Sequence, residues 1–498
     1  MKTLFIPLDE RPCNCLYPEM IAGKKVNLSL PPMNILGKKK IPADVAKIAD
    51  FILENAVDCD NAIISTETLV YGGLIPSRLH DHSQEELISR LETLKKIKEL
   101  NPKIRIYASN CVMRTPQYNS DDEEPAYYLN YGYAMFRRKY LMDYKARHGL
   151  TLEEEAELEG YAIPAEHIAD YEARRDKNTA VSLELLTYLE KGIVDFLIVP
   201  QDDSALYGYT ALSQKRVIDS VREKRLQTKV MIYPGADESG LTLLARAYNE
   251  YHGVEPKIYP FYSSQLGPSI VPKYEDRPMF ECLKSHVRAC KAKLVATPSE
   301  ADIILAINSP GKFMEDAYDR VFDVTHYTWR NVLDFVMQIN DYADSGYKVA
   351  VCDSVLCNGG DVQLLANMDE LNVLEKIISY AGWNTNANTL GTTLSQALVG
   401  NEINMHNLAF RIIEDVLYQS DVRHVISEVD LEKIGANHHN IPLHADKIKE
   451  IIKKRLQEAY NQLAFSKKYP VEIDVTLPWE RLFEIGLQIK HAKEHNND

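Results

Sequence analysis

The sequence lacks the apolar run of about 20 residues that a membrane-spanning helix needs. The N-terminus "MKTLFIPLDERP" has a short apolar stretch, but an acidic pair follows at once and no small-residue cleavage site appears. A basic excess is also lacking, because 57 Lys and Arg face 72 Asp and Glu, for a net charge of −15. Such a charge disfavours nucleic acid and anionic membrane surfaces. We therefore predict a cytoplasmic protein with no nucleic-acid or membrane partner.

Several catalytic and metal-binding motifs are missing as well. The eight cysteines form no CxxC pair, which favours reduced thiols over disulfides or a cysteine zinc site. No HExxH motif and no GxSxG nucleophile elbow occur. The glycines form neither GxGxxG nor a P-loop. Zinc-hydrolase, serine-hydrolase and P-loop chemistry therefore have no motif support.

What the sequence does contain is a regular alternation of strand-length apolar runs with helical patterns. The segments "VAKIADFILENA" and "EELISRLETLKKIKEL" repeat apolar residues at helical spacing. This alternation is typical of parallel βαβ units, so the predicted fold class is α/β. The strand-like runs are "TLFIPLDE", "AIISTETL", "KIRIYASN", "DFLIVPQDD", "KVMIYPGADE", "PKIYPFYSS", "ADIILAINSPG", "YKVAVCDS", "SYAGWNT" and the weaker "KLVATP".

Two architectures fit this alternation, and both place ligand sites at the C-terminal ends of the strands. One is a (β/α)8-type barrel; the alternative is two doubly wound Rossmann-like domains, one ending near residue 250 and one covering about 255 to 400. We favour the barrel, as an α/β catalytic domain over residues 1–400. A charged helical insertion over about 119–190 and a helical C-terminal region over 401–498 complete the predicted organisation.

Polar side chains follow nearly every predicted strand at the point where it ends. A charge there is costly unless it is paired or hydrated, so clustered charges indicate a polar cavity. Polar loops and helix caps are the better explanation of any single strand end, but the whole set favours a shared substrate pocket. The predicted substrate-binding residues are Asp9, Glu10, Arg11, Glu67, Tyr71, Arg78, Asn110, Arg114, Asp353, Asn358, Asp361, Trp383 and Asn384.

The arginines and the tryptophan of this set indicate which chemical class of ligand the pocket could bind. Arg11, Arg78 and Arg114 suit an anionic group if unpaired, and pairing with nearby Asp and Glu is the alternative. Trp383 either offers an aromatic face for a sugar or packs in the core.

Six phrases resemble those of a known family. They are "PLDERP", "LVYGGLIPSR", "QDD" before "YG", "GADE", "CNGGD" and "YAGWNTNANTLG". With the tail "LPWERLFE", they are similar to a large bacterial family catalogued as domain of unknown function 4127. The resemblance covers nearly the whole chain and implies a common fold and site, but it supplies no activity.

Two adjacent carboxylate pairs are the candidate catalytic groups. Asp202 and Asp203 follow "DFLIV", and Asp237 and Glu238 follow "KVMIY". The phrase "GADE" is similar to the "GGDE" of one retaining hexosaminidase family. Two carboxylates about 5 to 10 Å apart are the minimum requirement of a glycosidase. We therefore predict a carbohydrate-active hydrolase that needs no cofactor and acts on a small sugar, including an anionic or N-acetylated one.

Two other functions fit the same residues. A divalent-metal-dependent hydrolase or lyase on an anionic small molecule would hold Mg²⁺ or Mn²⁺ among the aspartates, because hard cations prefer oxygen ligands. A non-catalytic sugar or nucleotide sensor on two doubly wound domains would bind its ligand without turnover.

The sequence favours Glu238 as the proton donor, because it lies furthest along its loop and has the longer side chain. On that hypothesis Glu238→Gln keeps the fold and ligand binding but lowers turnover by about a hundredfold or more. Asp237→Asn should also disturb binding or stability. Assays with a cognate aryl glycoside test this, and unchanged turnover of the Glu238→Gln protein contradicts it.

Overall fold

The structure is a computed structural model that describes residues 1–438 and 441–492. The chain divides into two compact units, each built from separate stretches of sequence. Unit 1 comprises Met1–Glu10, Val26–Leu243 and Tyr274–Arg277, and unit 2 comprises Arg11–Lys25, Leu244–Lys273 and Pro278–Asp498. The predicted boundary between residues 400 and 401 is not one of these boundaries.

Unit 1 contains a six-stranded sheet in which all neighbouring strands pair in parallel. The strand order is β2-β1-β3-β4-β5-β6. All residues of the third and fifth strands are buried, as is usual when both faces of a parallel sheet are covered. The strands are β1 (Lys2–Ile6), β2 (Asn27–Ser29), β3 (Asn61–Ser65), β4 (Arg105–Ser109), β5 (Phe196–Gln201) and β6 (Val230–Pro234).

The order of strands in unit 1 changes direction at β1, which lies between β2 and β3. Open parallel sheets form a crevice at such a switch, outside the carboxyl ends of the strands, and ligands bind there. Asp9 follows β1 and Glu67 follows β3, so both residues flank the switch of unit 1.

Unit 2 contains a five-stranded parallel sheet, a two-stranded parallel sheet and an antiparallel hairpin. The larger sheet has the order β13-β11-β9-β7-β8, which repeats the arrangement of the first five strands of unit 1. The strands are β7 (Lys257–Tyr262), β8 (Lys293–Leu294), β9 (Ile303–Asn308), β10 (Glu315–Asp316), β11 (Val349–Asp353), β12 (Leu356–Cys357), β13 (Ser379–Ala381), β14 (Val471–Thr476) and β15 (Gly486–His491).

Helices connect the strands, and four segments adopt the wider π-helical form. The π-helical segments are Glu67–Tyr71, Gln396–Gly400, Ile412–Val422 and Ile426–Asp430. The α-helices are α1 (Pro12–Ala22), α2 (Val45–Asn55), α3 (Pro76–Leu79), α4 (Gln84–Arg90), α5 (Glu92–Leu100), α6 (Tyr128–His148), α7 (Leu152–Gly160), α8 (Ala165–Glu190), α9 (Tyr209–Glu223), α10 (Ser239–Tyr251), α11 (Met279–Ala289), α12 (Val324–Thr328), α13 (Val332–Asp344), α14 (Val362–Glu370), α15 (Asn386–Ser395), α16 (Met405–Arg411), α17 (Arg423–Val425), α18 (Leu431–Lys433), α19 (Ile441–Gln462) and α20 (Ala464–Lys468).

The predicted α/β class with parallel sheets is confirmed, and all ten predicted runs contain strands. The predicted barrel is not formed by the residues that the structure describes. A barrel requires its end strands to pair, whereas β2 and β6 end one open sheet and β13 and β8 end another. This arrangement is compatible with the alternative of two doubly wound domains.

The C-terminal region differs from its prediction. Its described residues through Lys468, which exclude residues 439 and 440, are mostly helical, but the region ends in the hairpin β14–β15, whose first strand alternates buried and exposed residues. That alternation in "VEIDVT" is a strand signal that the helical prediction missed. Residues 493–498 of the predicted region lie outside the described residues.

Helices α6, α7 and α8 occupy most of the predicted insertion. Over the described ranges, no helix is long and apolar enough to cross a membrane.

Gly72 ends the π-helical turn after β3, and its position provides a test of this fold. Its φ is +86°, and an added Cβ would lie 2.7 Å from the Ala43 amide nitrogen and 2.8 Å from its carbonyl oxygen. Gly192 also has a positive φ, +70°, but an added Cβ there meets nothing within 4 Å. We expect Gly72→Ala to lower the free energy of unfolding by about 3 kcal/mol or more and Gly192→Ala by about 1 kcal/mol. Urea denaturation checks both values, and equal losses would contradict the backbone contact at Gly72.

Candidate functional site

Glu67 and Asn110 connect the ends of β3 and β4. Glu67 is buried, and its Oε1 accepts hydrogen bonds from the Cys111 amide at 2.6 Å and from Asn110 Nδ2 at 3.2 Å. Its Oε2 accepts a hydrogen bond from Ser65 Oγ at 2.9 Å. Burial raises the pKa of Glu67, and these hydrogen bonds oppose that shift. Both predicted residues are therefore engaged in shaping the edge of the sheet.

Arg78 and Arg114 are buried in a network of ion pairs in unit 1. Arg78 is only 2% exposed at its side chain, and its Nη2 lies 2.6 Å from Asp202 Oδ2. Arg114 Nη1 lies 3.3 Å from Asp203 Oδ2. Each guanidinium also pairs, at 2.8 to 3.3 Å, with two carboxylates that the sequence analysis did not select, Glu123 and Glu124. The alternative of internal pairing is thus confirmed for these two arginines.

Glu123 and Glu124 belong to an irregular segment that follows β4 and precedes α6. The segment contains the acidic run "SDDEE", which the sequence shows plainly. Its position beside Arg78 of α3 and Arg114 of the same segment depends on tertiary contacts, so the run alone did not identify its partners. Glu124 Oε1 accepts hydrogen bonds from both Arg78 and Arg114.

Asp202 and Asp203 lie directly after β5, in different surroundings. Asp202 is ion-paired with Arg78 at 2.6 Å. Asp203 has a backbone φ of +43°, which is uncommon for a residue with a side chain and is often found at functional sites. Burial and the adjacent Asp202 raise the pKa of Asp203 to about 7, against the opposing effect of Arg114. A neutral carboxyl still accepts the Arg114 hydrogen bond through its carbonyl oxygen.

Three of the predicted residues, Asp9, Glu10 and Tyr71, lie near the strand-order switch of unit 1. Asp9 is buried, and Glu10 Oε1 accepts a hydrogen bond from the Lys39 amide at 2.7 Å. Tyr71 is buried with its ring 5.0 Å from that of His80. Its Oη has no hydrogen-bond partner in the part of the chain that the structure describes, and burial raises its pKa well above the usual value. Tyr71 therefore has a buried hydroxyl without a hydrogen-bond partner among the described residues.

Asp237 and Glu238 follow β6 in a tight loop, and both are buried. Glu238 Oε2 accepts a hydrogen bond from the Ala236 amide at 2.9 Å, so the side chain folds back onto its own loop. The folded-back side chain lies so close to Gly235 that a Cβ on this glycine would be 2.2 Å from Glu238 Oε1. The Glu238 side chain therefore supports its own loop, although the sequence analysis assigned it the role of proton donor.

Cys111 marks the point where the strand ends of unit 1 converge. It packs against Leu8, Leu74 and Ala236, which follow β1, β3 and β6. Burial raises the pKa of Cys111 well above its usual value, and four carboxylates add to the shift, those of Glu67, Asp202, Glu238 and Asp237. Carboxylates from three strand ends of unit 1, those of β3, β5 and β6, therefore lie near Cys111 at the C-terminal edge of this sheet.

The remaining predicted residues belong to unit 2. Asp353 Oδ2 accepts hydrogen bonds from Tyr380 Oη and the Asp361 amide, both at 2.7 Å. Asp361 caps α14 and pairs with Arg330 at 3.0 Å. Burial and the nearby Asp361 raise the pKa of Asp353 to about 7. Asn358 donates its side-chain amide to Asp316 Oδ2 at 2.7 Å. These residues form a buried network in which every predicted member has a protein partner.

Arg11, Trp383 and Asn384 instead line a cavity of about 20 Å³ in unit 2, which we call the unit 2 cavity. Arg11 lies 4.5 Å from the ring centroid of Trp479. Trp383 is 8% exposed, and its indole donates to Thr392 Oγ1 at 3.1 Å. The cavity is also lined by residues that the sequence analysis did not select, among them Tyr17, Glu414, Gln419 and Phe483. Glu414 and Gln419 lie in a segment predicted only as helical, so no local signal identified them.

Glu414 is the most perturbed acid of the unit 2 cavity. Tyr17 Oη donates a hydrogen bond to Glu414 Oε2 at 2.6 Å. Burial and the neighbouring Asp415 raise the pKa of Glu414 to about 8, against the opposing effect of Arg411. Arg411 pairs with Asp415, and its guanidinium lies 4.3 Å from the ring centroid of Tyr17. The cavity thus has a carboxyl that is mostly protonated near neutral pH.

The aspartates do not assemble into a metal site in the described ranges, where no group of three or more His, Cys, Asp or Glu side chains has suitable geometry. The sequence also contains "HDH" at residues 80 to 82. His80 is bonded to Asn178 Oδ1 at 2.9 Å, and burial lowers its pKa to about 4. These histidines are therefore part of the packing beside Tyr71.

The raised pKa of Asp203 predicts how stability depends on pH. An unfolded aspartate ionises near pH 4, about three units below the folded value, so the folded protein holds the extra proton in between. The stabilisation is complete below about pH 4 and is lost as the pH rises through about 7. Relative to wild type, we expect Asp203→Asn to gain about 1 to 3 kcal/mol of stability between about pH 4 and pH 8. Urea denaturation at both pH values measures this, and a pH-independent difference would contradict it.

No match was found among curated proteins. The family model described as "Protein of unknown function (DUF4127)" matches residues 3–488, which is nearly the whole chain and includes both units. The match confirms the resemblance seen in the sequence phrases, and the chain belongs to the DUF4127 family.

Proposed function

We propose that the protein is a carbohydrate-active hydrolase that uses the carboxyl pair of unit 1, with Asp203 as the acid and base and Asp202 as the group that stabilises developing charge. The observation that carries the proposal is the difference between these two neighbours. Asp202 is ion-paired with Arg78, whereas the pKa of Asp203 is raised to about 7. A pair of carboxyl groups whose environments differ in this way is the usual arrangement for general acid and base catalysis.

In the proposed reaction Asp203 protonates the leaving oxygen of a glycosidic bond. A general acid works best with a pKa near the working pH, which the value for Asp203 satisfies. After the bond breaks, the ionised Asp203 accepts a proton from the attacking water. Arg114, at 3.3 Å from Asp203 Oδ2, stabilises that ionised form. Asp202, which pairs with Arg78, stabilises positive charge that develops on the sugar.

Asp203 is a better supported donor than Glu238. Both lie at strand ends of the same sheet, but Glu238 is 0% exposed and is hydrogen-bonded to its own loop. The side chain of Asp203 is 16% exposed, so a ligand has access to it.

The two alternatives have less support. A metal-dependent hydrolase needs a cluster of ligands, and none of suitable geometry occurs in the residues described. A sensor would bind a sugar without turnover, and it would not require a general acid such as Asp203. Insensitivity of turnover to EDTA separates the proposed mechanism from the metal-dependent one.

The test is a screen of the purified protein against para-nitrophenyl glycosides of neutral, N-acetylated and acidic sugars. We expect Asp203→Asn to lower kcat on the active substrate by about a hundredfold or more. The wild-type kcat should fall as the pH rises above about 7, because the donor loses its proton.

Two variants complete the experiment. Asp219→Asn changes a surface aspartate of α9 that pairs with Lys215, and it should leave kcat within about twofold. Glu238→Gln decides between the two candidate donors, since a loss of stability with nearly normal kcat favours Asp203. Normal turnover by Asp203→Asn, or binding of sugars without any turnover, contradicts the proposal.

A further inference from the structure

The unit 2 cavity contains a buried polar atom that the proposed chemistry of unit 1 does not use. Gln419 is 5% exposed, and its Nε2 donates to the Phe483 carbonyl at 3.0 Å. Its Oε1 has no hydrogen-bond partner within residues 1–438 and 441–492. An unsatisfied buried acceptor costs about 1 to 3 kcal/mol, so a donor from outside the chain is expected there.

Glu414 presents a second polar group to the same cavity. It shares the π-helical segment Ile412–Val422 with Gln419, and the two residues are five positions apart. Hydrogen bonds in a π-helix join residues with that separation, so both side chains lie on one face of the helix. Such segments are rare and occur frequently at functional sites. With Tyr17 bonded to Oε2, the carboxyl of Glu414 both accepts and, when protonated, donates.

Aromatic rings form the apolar part of the cavity wall. Tyr17, Trp383 and Phe483 all line it, and Trp383 packs edge-on against Tyr17 with centroids 5.6 Å apart. Rings beside hydrogen-bonding groups suit ligands that have both an apolar carbon face and polar edges. The volume of about 20 Å³ admits one group the size of a water molecule. The rest of a larger ligand must therefore lie at the opening.

The charges around the cavity disfavour a charged ligand of either sign. Guanidinium groups lie near its aromatic residues, at 4.3 Å from the Tyr17 centroid for Arg411 and 5.6 Å from the Phe483 centroid for Arg423. Glu484 lines the cavity and disfavours an added carboxylate. A neutral ligand avoids both penalties.

We propose that the unit 2 cavity binds a small neutral hydroxylated molecule, a sugar or polyol. One hydroxyl enters the cavity and donates a hydrogen bond to Gln419 Oε1, and its oxygen accepts from the carboxyl of Glu414. The carbon face of the ligand contacts Trp383 and Phe483 at the opening. This site is independent of the acid pair in unit 1, so it stands whether or not that pair is catalytic.

The test compares two glutamine variants of the full-length protein by isothermal titration with glycerol, myo-inositol, glucose and N-acetylglucosamine. Gln419→Met removes the unsatisfied Oε1. Gln457→Met is the matched control, because Gln457 Nε2 also donates to a backbone carbonyl at 3.0 Å but the residue does not line the cavity. We expect at least one probe to bind saturably, with a Kd that rises about tenfold in Gln419→Met and stays within about twofold in Gln457→Met.

Glu414→Met serves as a second variant, which nearly conserves volume and removes the carboxyl that donates to the ligand hydroxyl. It should weaken the same probe several-fold, and it keeps the test valid if Gln419→Met is unstable. Three results would overturn the proposal: no saturable binding of any hydroxylated probe, equal affinity in the Gln419 and Gln457 variants, or preferential binding of methylammonium or acetate over the neutral probes.

Discussion

The cost of burying carboxylates is the constraint on which the edge of the unit 1 sheet depends. Two guanidinium groups, of Arg78 and Arg114, face four carboxylates, so full ionisation would leave two excess negative charges in a mostly buried network. A proton on one carboxyl reduces that excess. Within this network the pKa of Asp203 rises to about 7. The same proton therefore affects both the stability of the loops and the proposed acid catalysis.

Burial also raises the pKa values of carboxyl groups in unit 2. Asp353 and Glu414 also have raised pKa values, about 7 and about 8, but they are bonded to tyrosines at 2.7 and 2.6 Å. The network of Asp353 is closed by protein partners, whereas Glu414 lines a cavity beside the unsatisfied Gln419. Burial alone therefore does not identify a ligand site, and the proposed site of unit 2 is based on an unsatisfied atom at a cavity as well.

Much of the fold was predictable because buried parallel strands appear as continuous apolar runs. All ten predicted runs contain strands, and residues such as Asp203 and Glu238 do follow them. The arrangement of strands was not predictable, since a barrel and two open sheets share the same alternation along the chain. The site was predicted in part. Residues such as Asp202, Asp203, Arg78 and Arg114 were selected from their positions after strands, but Glu123, Glu124, Glu414 and Gln419 depend on contacts between distant segments.

The central claim is that Asp203 holds a proton near neutral pH because of its surroundings. Infrared difference spectroscopy of the carboxyl stretch, with the Asp203→Asn protein as the reference, measures this directly. The account predicts a protonated carboxyl signal that disappears with a midpoint near pH 7. A midpoint near pH 4, the value for an aspartate in water, would contradict it.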